Sequence, residues 1–292
     1  MKCFAVRSSL RLVASLASLI AACAVTLMVG TPAHAQSEGE GEGRKPLWEV
    51  GVVGGGVSQV AYPGADQQVR RAAMAPFIIY RGEFLRADRD TAGLRAIRTD
   101  DFELDVSFAG AFGASSDKIE ARRGMPDLGT LVEFGPRMRW KLGDGPGGGQ
   151  WRFDLPLRGV FDISDRAAHR GMTLEPEVFF RRESPTGWTY AMRFGFIVAD
   201  QRLAETFYAV APRYATPDRP AYEAKPGLVS WRVGTTLSRK LGPDWRVFGF
   251  ARVDHLAGAA NRSSPLVRRD TGLTAGIGAS YTWLRSDTLV DD

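Results

Sequence analysis

Beyond residue 35 the chain contains no cysteine, since Cys3 and Cys23 are the two it has. That absence excludes disulfides, thiolate metal sites and a cysteine nucleophile from everything that follows. Histidine is almost as scarce, with three in 292 residues, and His34 sits in the same N-terminal stretch. After that stretch no run reaches the roughly 18 apolar residues of a spanning helix. No strong excess of one charge exists either: the formal +5 falls to +2 once Lys2, Arg7 and Arg11 are set aside. No nucleic-acid partner is implied. The glycines between Gly51 and Gly56 lack the G-x-G-x-x-G spacing and precede no helical pattern, so they read as a glycine-rich strand and not a dinucleotide loop.

What is there begins with an address. Lys2, Arg7 and Arg11 form a positive n-region, Leu12 to Val29 is apolar, and Ala33-His34-Ala35 supplies an A-x-A cleavage signal. Residues 1–35 therefore read as a secretory signal peptide. Ile20-Ala21-Ala22-Cys23 resembles a lipobox, but the apolar run continues past Cys23, which would place that site in mid-helix. Residues 36–47 are rich in Gly and Glu and read as a disordered periplasmic leader.

From Trp48 the hydrophobic period becomes two. Trp151, Phe153, Leu155, Leu157 and Phe161 share one face, opposite Arg152, Asp154, Arg158 and Asp162. Trp188, Tyr190, Met192, Phe194 and Phe196 share another, with Arg193 opposite. A strand between two unlike environments has this pattern. Alternation alone does not say which face points inward. The distribution of tryptophan does: Trp48, Trp151, Trp188 and Trp245 open such segments, and Trp140 and Trp283 close them. If strands run up and down, all six fall on one rim, as the aromatic belt of a membrane barrel requires.

Connections alternate between short (143–150, 183–187, 242–244) and long (59–69, 114–129, 201–227, 257–270). Short turns belong on the periplasmic side and long loops outside. The expectation is an all-β chain, a transmembrane antiparallel up-and-down β-barrel of about 12 strands over 48–284, with a polar periplasmic tail over 285–292. Twelve strands require 83–88 and 92–98 to be two short strands around a tight Arg89–Thr91 turn; ten is the alternative. Pro76, Pro136, Pro156 and Pro176 fall within proposed strands, where each removes a ladder hydrogen bond, so bulges or wall irregularity are expected there.

Several stretches are familiar. Arg122-Arg123-Gly124-Met125-Pro126-Asp127-Leu128-Gly129, Tyr62-Pro63-Gly64, Phe84-Leu85-Arg86 and Ser264-Pro265-Leu266-Val267 resemble the MipA/OmpV family of outer-membrane proteins, MipA standing for MltA-interacting protein. Gly124, Met125, Pro126, Asp127 and Gly129 are the most specific part. The resemblance implies an outer-membrane barrel. It also implies partners, a periplasmic lytic transglycosylase and a peptidoglycan synthase joined by a scaffold, while other members are described as adhesins. The family's barrels commonly end on an aromatic residue; here Trp283 is followed by Leu284 and a polar tail.

Candidates for chemistry are few. His255 lies beside Asp254, with Ser263 and Ser264 in the next loop, but no nucleophile motif surrounds either serine. Two separated histidines make a poor metal site. By parity Arg152, Asp154, Arg158, Asp162, Glu175, Glu177, Arg181, Arg193 and Arg232 point into the lumen, as do Glu133, Arg137 and Arg139. Mixed signs favour a charge network filling the interior over an ion-selective lining. Arg166, Arg170, Arg202, Arg213, Arg262, Arg268 and Arg269 make the outer loops basic, suited to lipopolysaccharide phosphates or to solvent. The reading is a non-enzymatic envelope interaction or scaffolding protein without cofactor or metal, in contact with outer-membrane lipid and lipopolysaccharide. An adhesin or a narrow channel for small polar solutes is the alternative.

Overall fold

The computed structural model describes residues 44–82, 85–87, 92–94 and 97–291. The expected signal peptide, most of the leader and the Arg89–Thr91 turn lie outside them. The strands are β1 (Arg44–Pro46), β2 (Trp48–Val60), β3 (Gln68–Arg81), β4 (Leu85–Ala87), β5 (Ala92–Leu94) and β6 (Ile97–Arg98). They continue with β7 (Phe102–Ala111), β8 (Leu131–Gly145), β9 (Gly149–Asp162), β10 (Ala168–Leu174), β11 (Glu177–Glu183) and β12 (Trp188–Ala199). The last are β13 (Gly227–Lys240), β14 (Trp245–His255), β15 (Thr271–Arg285) and β16 (Leu289–Asp291); one α-helix, α1 (Gln201–Tyr208), precedes β13.

Neighbours in sequence are neighbours in the sheet, and every pairing is antiparallel. The order runs β5-β4-β3-β2-β15-β14-β13-β12-β10-β9-β8-β7-β6, with β11 continuing β10 between β9 and β12. β10 and β11 keep one register against both flanking strands, so they are a single strand interrupted at Glu175-Pro176. The two ends of the sheet are three residues apart: β5 pairs with β4, β6 pairs with β7, and β5 also comes within 8 Å of β7. With β10 and β11 counted as one, thirteen wall strands are described, β5 and β6 being separate short ones, close to the twelve expected.

Burial settles the sense of the alternation. On β9 Asp154, Pro156, Arg158, Val160 and Asp162 are buried while Trp151 and Leu157 are exposed. Met74, Ile78, Met192, Phe194 and Ile277 are all more than half exposed. Charges inside and large apolar side chains outside are the arrangement of a sheet whose outer face meets hydrocarbon.

Two expectations need correction. Pro76 causes no bulge, because Val52↔Pro76 sits in an unbroken register between β2 and β3. A proline holds register where its nitrogen is turned away from that partner, at a non-hydrogen-bonded pair. Pro136 likewise pairs with Val106 of β7, but the β8–β9 ladder lapses beside it between Phe134 and Arg137. The true register shifts lie elsewhere, at Lys141/Gly143, His169/Gly171, Ile197/Val198 and Thr282/Leu284. The leader is also not disordered throughout: Arg44–Pro46 pairs with Leu289–Asp291 of the tail. Arg81 ties this ribbon to the barrel, donating to the Pro46 carbonyl at 2.6 Å and to Glu49 at 2.6 Å.

Candidate functional site

The interior is built from inward positions of adjacent strands, and its charges engage one another. Arg158 meets Glu175 at 2.9 Å and Glu133 at 3.5 Å, and Arg232 meets Glu175 at 3.6 Å and Asp254 at 2.8 Å. Nearer the short turns Arg152 meets Asp154 at 2.7 Å, Arg193 meets Glu177 at 3.9 Å, and Arg181 pairs with Glu183. Asp162, at the outer end of β9, pairs with Arg170 at 2.9 Å. All nine inner charges singled out from the sequence are thus held in ion pairs.

Sequence reasoning placed Arg137 in this network but missed Asp105, Arg252 and Asp254. Arg137 makes a two-pronged contact with Asp105 through bonds of 2.9 and 2.8 Å, and Arg252 meets Asp254 at 3.0 Å. In the sequence Asp254 stands beside His255. Its parity with Arg246 and Arg252, opposite Trp245, Val247 and Val253, was the available signal. Toward the short turns a cavity of about 390 Å³ is lined by Glu103, Arg139, Lys141, Arg152, Phe179 and Arg181. Its ceiling is the Phe179 ring, with the guanidinium of Arg152 4.4 Å and that of Arg193 5.6 Å from the centroid.

The other end is roofed. Segments 61–67, 112–130, 200–226 and 256–270 pack into one apolar core containing Tyr62, Ile119, Leu128, Leu203, Tyr208, Val210 and Leu266, continuous with Val160 and Ile197 of the wall. α1 begins at Asp200, whose Oδ1 accepts from the Leu203 amide at 2.9 Å. It ends on Arg122, which donates to the carbonyls of Thr206 (3.4 Å) and Phe207 (3.2 Å) and lies 5.8 Å over the Tyr62 ring. Carbonyls at a helix C-terminus lack intrahelical donors, and a guanidinium supplies them. Burial lowers the Arg122 pKa from its usual value and pushes the Tyr62 phenol up to about 12, against the pull of Arg122. The Tyr62 hydroxyl donates to the Leu266 carbonyl at 2.6 Å, that of Tyr208 to the Pro63 carbonyl at 3.0 Å, and that of Ser264 to the Tyr208 carbonyl at 2.8 Å.

The family model described as MltA-interacting protein MipA matches residues 50–283, nearly the whole of this wall and cap. The chain belongs to the MipA family. It is an outer-membrane β-barrel protein. Among solved structures it is similar to the NanC porin, at 11% identity over 80% of this chain and 100% of that one, with a TM-score of 0.36. It is also similar to outer membrane phospholipase A from Escherichia coli (11% identity, 89% and 97% covered, TM-score 0.33). A third is the translocator domain of autotransporter NalP from Neisseria meningitidis (10% identity, 93% and 97% covered, TM-score 0.32). None of the curated proteins compared with the chain matches it.

Three of the four stretches that carry the MipA resemblance converge in the cap, while Leu85-Arg86 belongs to β4. Gly124 has φ +78°, a left-handed turn that favours glycine. Met125 packs against the cap core. The Pro126 carbonyl accepts from Ser116 Oγ (2.6 Å) and Arg122 (3.3 Å), and Asp127 accepts from the Ser116 amide at 2.6 Å. At Gly129 a Cβ would fall 2.0 Å from the Asp162 carboxylate. These residues build the loop. Phe84 lies outside the described residues.

Trp48, Trp140, Trp151, Trp188, Trp245 and Trp283 all stand near the short-turn ends of their strands, with Trp151 tilted against Phe180 at 4.7 Å and Trp245 against Tyr281 at 4.9 Å between ring centroids. Trp231 is at the opposite end, beside His255 in register. His255 and the loop serines are not brought together: His255 Nδ1 bonds Thr271 Oγ1 at 2.9 Å, Ser264 serves Tyr208, and Ser263 lies 3.3 Å from the Tyr222 hydroxyl.

Proposed function

We propose that the protein is exported by a cleaved signal over residues 1–35 and acts as a non-enzymatic interaction protein of the envelope, presenting its periplasmic rim to a cell-wall enzyme. The observation that carries this is the double occlusion of the lumen. Inner charges neutralise one another at 2.7–3.9 Å, and the outer mouth is covered by a packed apolar cap. With the interior so occupied, the surfaces left for recognition are the rims. The periplasmic rim is larger than short turns alone: the β1–β16 ribbon stands on it, hydrogen-bonded to the barrel through the Leu47 carbonyl, which accepts from the Arg81 amide at 2.8 Å. The family description names an interaction with MltA, and a lytic transglycosylase is accordingly the partner to test first. A peptidoglycan synthase is second.

The test is site-specific photocrosslinking in cells from residues of turns 146–148, 184–187 and 241–244 and of β16. Capture of a cell-wall hydrolase or synthase supports the reading, and recovery of assembly and chaperone factors alone overturns it. The basic outer loops favour a second reading, adhesion to an anionic surface, although Arg170 and Arg262 are already paired with Asp162 and Asp270. Loss of surface binding on deletion of 211–220 would favour it.

A further inference from the structure

The outer wall carries a groove that the inner wall does not explain. It lies across β2, β3, β14 and β15, with a volume of about 650 Å³, and its lining includes Gly56, Ser58, Arg70, Ala72, Gly249 and Ile277. Register fixes the sides. Ser58 pairs with Ala275 and Arg70, and Gly56 with Ile277 and Ala72; Gly249 pairs with Ile277. Ile277 is 74% exposed, so this set faces outward, toward lipid.

Two kinds of glycine occur in these strands. Gly51, Gly55, Gly276 and Gly278 face inward, where a Cβ would come within 2.2–2.6 Å of backbone or of the Phe77, Phe248 and Phe250 rings. Barrel packing requires them. Gly54, Gly56 and Gly249 face outward, and a Cβ on any of them meets nothing closer than 3.6 Å. Barrel packing does not require these three, and the missing side chains of Gly56 and Gly249 make the groove. Its apolar flank is Ile277.

The groove has a charged end. Arg70 is exposed on the outward face, and among the described residues no carboxylate approaches it within 4 Å. Ser58 and Gln68 stand beside it, bonded at 3.2 Å. From Trp48 at the periplasmic belt to Ser58 is ten residues, about 33 Å of strand at about 3.3 Å each. A tilt of about 40° reduces this to about 25 Å, the height of the apolar band, which puts Arg70 at the outer headgroup level.

We propose that this groove is a binding site for a phosphorylated lipid of the outer leaflet, with an acyl chain along the glycine floor and a phosphate on Arg70. A second copy of the chain fits less well. The outward positions of β2, β3, β14 and β15 between the two headgroup levels include no Asp or Glu, so a two-fold contact would oppose guanidiniums without a counter-charge. A lipid phosphate supplies that charge. The site is independent of the rim reading above, since it concerns the wall.

The experiment is native mass spectrometry of the detergent-extracted full chain, titrated with bisphosphorylated lipid A, dephosphorylated lipid A and inorganic phosphate. Heat-modifiable migration verifies folding of each variant. Lipid A is expected to be retained, its dephosphorylated form about ten-fold less, and inorganic phosphate not at all. Arg70→Ala should bring lipid A down to the dephosphorylated level, and Gly56→Leu and Gly249→Leu should weaken both lipids. Equal retention by wild type, R70A and G56L overturns the proposal. So does competition by inorganic phosphate alone, or a dimer in the wild type that G56L dissociates while lipid retention stays unchanged.

Discussion

Removing the Asp254 carboxylate tests whether the interior is a structural charge network. Oδ1 accepts from Arg232 Nε at 2.8 Å and Oδ2 from Arg252 Nε at 3.0 Å, on a side chain 3% exposed. In Asp254→Ala, Arg232 keeps Glu175 at 3.6 Å and Arg252 keeps Thr274 Oγ1 at 3.4 Å. Breaking a buried pair from one side costs about 3–5 kcal/mol, because the remaining charge is stranded. Two charge-assisted hydrogen bonds at about 1.5–3 kcal/mol each give a similar figure. Arg252 is one-third exposed and water compensates it in part, so the lower end, about 3 kcal/mol, is expected. Asp254→Asn keeps one acceptor and should lose about 2 kcal/mol. The assay is urea unfolding of the barrel refolded into phospholipid vesicles, followed by tryptophan fluorescence. A cycle with Arg252→Met should return a coupling energy above about 1 kcal/mol. If D254A unfolds within about 1 kcal/mol of the wild type, the network reading of the interior is wrong.

Three further outcomes concern the cap. Gly129→Ala must displace the Asp162 carboxylate, 2.0 Å from the added carbon; faster protease cleavage within 112–130 is expected, with the barrel's unfolding midpoint almost unmoved. Arg122→Met removes the donors to Thr206, Phe207 and Pro126 carbonyls, so amide exchange in α1 should quicken by roughly ten-fold or more. The Tyr62 pKa is raised from 10 to about 12 by burial, so the folded cap favours the protonated phenol. Its contribution is whole below pH 10 and is lost as pH rises through 12, about 2–3 kcal/mol in all. Loop proteolysis should therefore accelerate between pH 10 and 12 in the wild type, and Tyr62→Phe should reduce that rise from a lower starting stability, with the buried Tyr208 phenol, also pushed up, supplying the remainder.

The wall was legible because its physics is one-dimensional. A strand between hydrocarbon and a charged interior writes period two directly into the chain, and Arg152 to Asp162 shows it without tertiary information. Strand parity then assigned nine inner charges, of which seven pair within the set while Arg181 and Asp162 pair with Glu183 and Arg170. The prolines were harder. Whether Pro76 breaks a ladder depends on which edge its nitrogen faces, and only the register with Val52 reveals that. The β1–β16 ribbon was illegible for a related reason: Arg44-Lys45-Pro46 has no strand character of its own and is ordered by a tail more than 240 residues away.

The cap was illegible because no local period describes it. Tyr62, Arg122, Tyr208, Arg219 and Leu266 come from four loops, and each is explicable only by the others. Arg219, for example, is buried and donates to the carbonyls of Ala121, Arg123 and Tyr214, yet in sequence it is one arginine in a polar loop. Tyr62-Pro63-Gly64, Gly124–Gly129 and Ser264–Val267 carried the family resemblance, and all three turn out to be spent on closing this roof. Gly64, for instance, has φ +96° where its carbonyl receives the amides of Arg268 and Arg269. A motif whose polar atoms are consumed by neighbouring backbone has little left with which to bind a ligand. What the motifs specify is therefore a packed loop cap, and recognition in this protein is to be sought on the rims and the lipid-facing wall, where side chains such as Arg70 still face outward.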